Sequence, residues 1–171
     1  MKEFRLRTTR MYLREFKSAD AEGFYQLNND PLVIQHTGDR AFADPNEAAA
    51  FIAGYDHYER HGFGRWAVVL EETGEFIGFC GLKYHSDTKE VDLGFRIGRA
   101  WWNKGLATEA ARACLGYGFT ELQLDRIIGR VRQENIASVR VLEKIGMHRL
   151  NAFDFEGHPG YRYELSAVDW S

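Results

Sequence analysis

The chain has 171 residues, 44% of them apolar, and a formal net charge of −3; that length predicts one domain over 1–171, able to bury roughly two-thirds of its unfolded surface. The acidic balance excludes a general nucleic-acid binder, whose affinity rests on neutralised phosphates. No apolar run approaches the roughly 18 residues of a membrane span and the N-terminus lacks an apolar signal core, so the expectation is a cytoplasmic protein with no membrane partner.

Phe4 to Leu6 and Met11 to Arg14 read as a first strand region, followed through Ser18 as N-cap by a helix to about Asn28, which Asp30-Pro31 stops. A second helix has a clearer start: Asp44 caps, Pro45 suits the first helical position, and Glu47 completes a capping box before the apolar stripe of Phe51, Ile52 and Tyr55. Trp66 to Leu70, Glu75 to Lys83 and Glu90 to Ile97 are rich in β-branched and aromatic residues, with turn residues at Thr73-Gly74 and Ser86-Asp87; they predict three consecutive antiparallel strands. Ala111, Cys114, Leu115, Gly118 and Leu122 then mark the buried face of a helix from about Ala107 to Leu122. Arg126 to Val131 is a strand, Asn135 to Gly146 a helix with a natural left-handed stop, and two last strands run near His148 to Phe155 and Tyr161 to Leu165. This order predicts an α+β fold on a mixed, mostly antiparallel sheet of about seven strands. The crossover through the long helix favours Glu90–Ile97 and Arg126–Val131 lying parallel.

Cys80 and Cys114 fall on a strand and a helix without a Cys-x-x-Cys spacing, and read as separate buried thiols rather than a disulfide or a metal pair. His57 and His61, four apart, lack a third ligand and the glutamate of a zinc motif, so no metal is expected.

The segment Arg99-Ala100-Trp101-Trp102-Asn103-Lys104-Gly105-Leu106-Ala107-Thr108 joins a strand to a helix through small and cationic residues. A helix N-terminus there has unpartnered N–H groups and the positive end of its dipole, Gly105 and Ala107 permit close approach of an anion, and Lys104 adds a charge. A P-loop is excluded, because it needs Gly-Lys followed by Ser or Thr and here Lys104 precedes Gly105; a nucleotide-phosphate enzyme is accordingly the weakest alternative.

Downstream, Asn135-Ile136-Ala137-Ser138 leads into Glu143-Lys144-Ile145-Gly146-Met147. Together the two segments resemble the GNAT acyl-CoA-dependent N-acetyltransferases. Trp102, Gly105 and Ala107 occupy the places of that family's Gln/Arg-x-x-Gly-x-Gly/Ala motif, and the second segment matches the Asn-x-x-Ser and Glu-Lys-x-Gly form of the Rim-type ribosomal-protein acetyltransferases. Thr8 to Arg14, Asn29-Asp30-Pro31 and Gly78 to Leu82 are also similar to that branch. Trp102 in place of a polar residue and Asn103 in place of the usual Gly are departures.

The resemblance implies a sheet with helices on both faces and a splayed parallel strand pair that admits acetyl-CoA, pantetheine running along Phe95, Arg96 and Ile97, and pyrophosphate on the loop of Trp102, Asn103, Lys104, Gly105, Leu106, Ala107 and Thr108. Asn135 is an N-cap that also reaches the pantetheine. Asp92 stands where the branch carries Glu and is the candidate base, with Glu90 or an ordered water behind it; strand alternation puts Glu90 and Asp92 on one face. The tyrosine that serves many relatives as general acid is replaced by Leu142, leaving Ser138 or water. His36, Trp66 and Tyr84 are the candidate acceptor residues. The implied activity is acetyl transfer to a primary amine by direct attack in a ternary complex, with a slight preference for a peptide N-terminus over a small amine, in a monomer or homodimer. A catalytically idle acyl-CoA-binding module is the alternative.

Overall fold

The computed structural model describes residues 3–170. Its strands are β1 (Leu6–Arg7), β2 (Met11–Arg14), β3 (Arg65–Leu70), β4 (Phe76–His85), β5 (Glu90–Ile97), β6 (Arg126–Arg132), β7 (His148–Phe155) and β8 (His158–Ser166). They form one eight-stranded sheet in the order β1-β2-β3-β4-β5-β6-β8-β7. Among the described residues five α-helices accompany it: α1 (Ala21–Asn29), α2 (Pro45–Ala53), α3 (His57–His61), α4 (Leu106–Thr120) and α5 (Ile136–Lys144). The strand beyond the expected seven arises because the N-terminal region is two strands. Thr8 N–H bonds to Met11 carbonyl at 2.8 Å and pairs Leu6 with Leu13, a turn too tight for side-chain period to reveal.

Strand alternation separates two faces. On one, Cys80 and Leu82 of β4, Val91, Leu93 and Ile97 of β5 and Ile127 of β6 pack with Leu106, Ala111, Cys114 and Leu115 of α4 in the main core. The approach of α4 is close at Gly118, where a Cβ would lie 2.7 Å from Ile127 Cδ1. On the other, Phe76 and Phe79 of β4 meet Phe24 of α1 and Ala48 and Ile52 of α2. The two cysteines expected to be separate are free and buried, but β4 and α4 bring their sulfurs to 3.6 Å.

Two helix starts behave differently. Asp44 accepts from Glu47 N–H at 2.9 Å with Pro45 at the first position, as its residues specify. Gly54 ends that helix, leaving Tyr55 beyond it with its hydroxyl accepting from Arg65 N–H at 2.8 Å. Ser18 is no cap: it opens a 3₁₀ turn, Ser18–Asp20, before α1. The organising residue is Asp20, whose carboxylate takes both Arg14 guanidinium nitrogens at 2.8 Å and Lys17 N–H at 2.8 Å. Both side chains are nearly buried. Removing one member of such a pair strands the other charge, so Asp20→Asn is expected to cost about 3 kcal/mol and to lower the melting temperature by about 10 °C; an unchanged melting curve would show that the pair contributes nothing.

Candidate active site

β5 and β6 are parallel and joined by one ladder pair, Asp92↔Ile128. Past it, Gly94–Ile97 and Arg130–Arg132 are not paired with each other, β6 being held instead by β8. This divergence leaves a wedge, with a cavity on each side of it.

The smaller cavity, about 430 Å³, lies at the start of α4. After β5, Trp102 Nε1 donates to Ile97 carbonyl at 2.7 Å, and Asn103 and Gly105 take left-handed φ of 62° and 75°. That conformation suits Gly and is tolerated by Asn. It turns the chain abruptly into α4, whose first turn has no side-chain cap. The N–H groups of that turn are therefore open to an anion. Phe95, Arg96, Ile97, Trp102, Asn103, Gly105, Leu106, Ala107 and Thr108 line the cavity on one side, and Asn135 and Ser138 on the other. Lys104 does not: it is exposed and outside the lining, and its carbonyl accepts from Arg10 Nη1 at 2.8 Å. A loop that turns through two left-handed residues cannot aim every side chain inward. Besides Arg96 of β5, the cations that line the cavity are Arg140 and Lys144 of α5. Their four-residue spacing from Ile136 was the available signal.

The larger cavity, about 870 Å³, lies on the α1–α2 side. Asp92 forms part of its lining. Its Oδ1 is 2.8 Å from Arg65 Nη2, and its Oδ2 is 3.0 Å from His85 Nε2, off the line of a directed hydrogen bond. Burial pushes the carboxyl's pKa up, but Arg65 and His85 outweigh burial and hold it well below the usual carboxylate range. Asp92 is therefore ionised at neutral pH and a weak proton acceptor by itself, with His85 beside it. Glu90 is no substitute: Arg126 Nη2 lies 3.1 Å from it, Arg130 reaches 3.7 Å, and Arg162 contacts it more closely still, keeping its pKa low.

Two of the expected acceptor residues lie elsewhere. Trp66 is 1% exposed in the core, stacked on Phe4 at 4.8 Å. Tyr84 packs on His61 at 5.0 Å and is not in the cavity lining. Their neighbours Arg65 and His85 point into the cavity instead. Each expectation was one residue out, and in a strand one residue reverses the face. His36 lines both cavities, with Nδ1 3.5 Å from Glu134. Asn135 accepts from Ser138 N–H at 3.3 Å as an N-cap, and both residues line both cavities. Leu142 is buried and closes against Gly129, so no acid stands at that place.

Residues 10–148 match the family model of the acetyltransferase (GNAT) domain. The chain belongs to the GNAT acetyltransferases. It is 32% identical over 146 residues to the uncharacterised N-acetyltransferase p20 of Bacillus licheniformis, covering 84% of this chain and 82% of that one. Against the spermidine N(1)-acetyltransferase of Escherichia coli K12 it is 29% identical, covering 78% and 70%. A GNAT acetyltransferase structure from Bacillus anthracis superposes with a TM-score of 0.84 at 26% identity over 96% of this chain and 99% of that one. The RimL ribosomal-protein acetyltransferase in complex with coenzyme A superposes with a TM-score of 0.79 over 95% and 98%; at 14% identity that likeness is one of fold.

Proposed function

We propose that this GNAT acetyltransferase moves acetyl from acetyl-CoA to a primary amine, of a peptide or a small molecule, by direct attack in a ternary complex. One observation carries the reading: the two cavities meet at the β5–β6 wedge, with His36, Thr37, Phe95, Arg96, Asn135 and Ser138 lining both. A thioester whose phosphates rest on the start of α4 then presents its acyl end to the cavity that holds Asp92 and His85. The pantetheine arm pairs with the free backbone of Phe95 to Ile97, and one N–H there serves the oxyanion. The amine nitrogen attacks the thioester carbonyl, the C–N bond forms, the C–S bond breaks, and the thiol leaves with a proton from Ser138 or water. The amine's proton passes to the His85–Asp92 pair. Histidine exchanges protons near neutrality, and a carboxylate held ionised beside it stabilises the imidazolium.

Direct attack is favoured because Cys80 and Cys114 are buried against α4 and line neither cavity. Incubation with labelled acetyl-CoA alone should leave both cysteines unlabelled; an acetylated cysteine would overturn the direct route.

The deciding experiment measures CoA release over a panel of peptides, polyamines, aminoglycosides and amino acids. Turnover above background supports the enzyme. Stabilisation by acetyl-CoA with no release from any acceptor would favour the idle binding module, which the vacant tyrosine place at Leu142 keeps as the second reading. The cofactor lining also predicts a charge effect. Arg140→Glu should raise the acetyl-CoA dissociation constant about fivefold, whereas Lys104→Ala should leave it within about twofold; the reverse order in a calorimetric titration would misplace the phosphates.

A further inference from the structure

Among the described residues five charged side chains are buried: Arg14, Asp20, Glu90, Asp92 and Arg132. Four have counter-ions. Arg14 pairs with Asp20, Glu90 with Arg162, and Asp92 with Arg65. Arg132 is 7% exposed, its side chain makes no hydrogen bond or ion pair among the described residues, and its Nε is enclosed without an acceptor.

The contrast with Arg96 is direct. Arg96 stands four residues beyond Asp92 on β5 and Arg132 four beyond Ile128 on β6, so the two arginines flank the wedge from matching positions. Arg96 gives Nη1 to Asn28 at 2.8 Å and Nη2 to Asp39 at 2.6 Å, although its Nε, like that of Arg132, is enclosed without an acceptor. Arg132 has only the Phe155 ring, centred 5.5 Å from its Cζ. Glu156 on the β7–β8 turn makes no ion pair with it, although its carboxylate and Arg132 Nη2 both converge on Gly38; Asp154 accepts from Gly157 N–H at 3.0 Å; and Glu134 lies beside His36 and His158.

The Nε of Arg132 is enclosed without an acceptor while the residue lines the larger cavity, and a planar guanidinium fork matches a carboxylate. Arg132 lines the larger cavity and not the smaller, so the anion it awaits belongs to the acceptor rather than to the cofactor's phosphates.

We infer that the acceptor is an amine that also carries a carboxylate, an amino acid or short peptide with a free acid group, and that Arg132 binds that carboxylate. This inference rests on the acetyl-transfer reading above and narrows its substrate class.

The test compares kcat/KM, read by CoA release, for amino acids and di- and tripeptides offered as free acids and as their C-terminal amides, with spermidine alongside. The native protein should prefer an acid over its amide at least tenfold. In Arg132→Gln that ratio should fall to near one, chiefly through KM, and Arg132→Lys should recover part of it. Titration with acetyl-CoA checks that each variant is folded. Equal use of acid and amide by the native protein, spermidine as the best acceptor, or an Arg132→Gln variant that retains the preference or loses acetyl-CoA affinity would each overturn the inference. Should Arg132→Gln not fold, the acid-to-amide ratio of the native protein decides alone. If no acceptor turns over, the acetyl-transfer reading fails by itself. The carboxylate site is then read from melting curves of the CoA-bound native protein, which free acids should raise and amides should not; no difference would overturn it.

Discussion

Gly105→Glu is expected to raise the dissociation constant of acetyl-CoA at least tenfold, a loss of about 1.4 kcal/mol or more. Gly105 caps α4 at φ 75°, ψ 9°, and a Cβ there would meet only Arg10 Nη2, at 3.5 Å. The protein alone therefore has room for a side chain. What a glutamate displaces is the ligand, because it places a carboxylate against the open N–H groups of the first turn and competes with the pyrophosphate for the positive end of the helix. The left-handed backbone adds about 1 kcal/mol of strain for any L-residue, which Gly105→Ala isolates: the alanine variant should lose stability but much less affinity. Calorimetric titration of folded protein is the measurement, and native affinity in Gly105→Glu would remove this loop from the site.

His85→Gln and Asp92→Asn should each lower turnover at pH 7 by about a hundredfold, the low end of what a positioned base contributes. The loss should shrink at pH 9, where more of the amine has already shed its proton. The sign of the Asp92 shift matters here. A depressed carboxyl contributes stability above its unfolded value and loses it only as pH falls through its lower folded value, so Asp92 stays ionised across the neutral range. The pH dependence of the rate then does not come from Asp92 titrating. Asp92→Asn also leaves Arg65 without its carboxylate, so its melting curve must be read beside its rate, while His85→Gln keeps that pair. A loss in both variants that does not change with pH would point to positioning. Native rates for His85→Gln over the whole range would remove the pair from proton transfer.

Elements with local chemical signatures were legible from the chain alone. Asp44-Pro45 with Glu47 defines a helix start through contacts within one turn. The step from Ala111 to Leu115 to Gly118 marks the buried face of α4, and Asn135 adopts the capping role that its residue type suits. The α+β class and the parallel pair also follow, because a strand–helix–strand crossover has one common handedness and direction.

The sequence by itself therefore determined the class of fold, the family, and which two segments border the smaller cavity. Only the tertiary structure decided which side chains line the larger one. Arg65 rather than Trp66 and His85 rather than Tyr84 face it because ladder pairing sets Lys83 opposite Asp92 and His85 opposite Glu90, and that register is a contact between distant segments. The same holds for charge. Nothing local distinguishes Asp20, Asp92, Arg96 and Arg132, yet burial and the partners supplied by other segments make the first a structural brace, the second a carboxylate held ionised at neutral pH, the third a cation with two acceptors and the fourth one whose side chain has none among the described residues. Propensity and periodicity act over a few residues, whereas an ion's energy depends on what surrounds it in three dimensions.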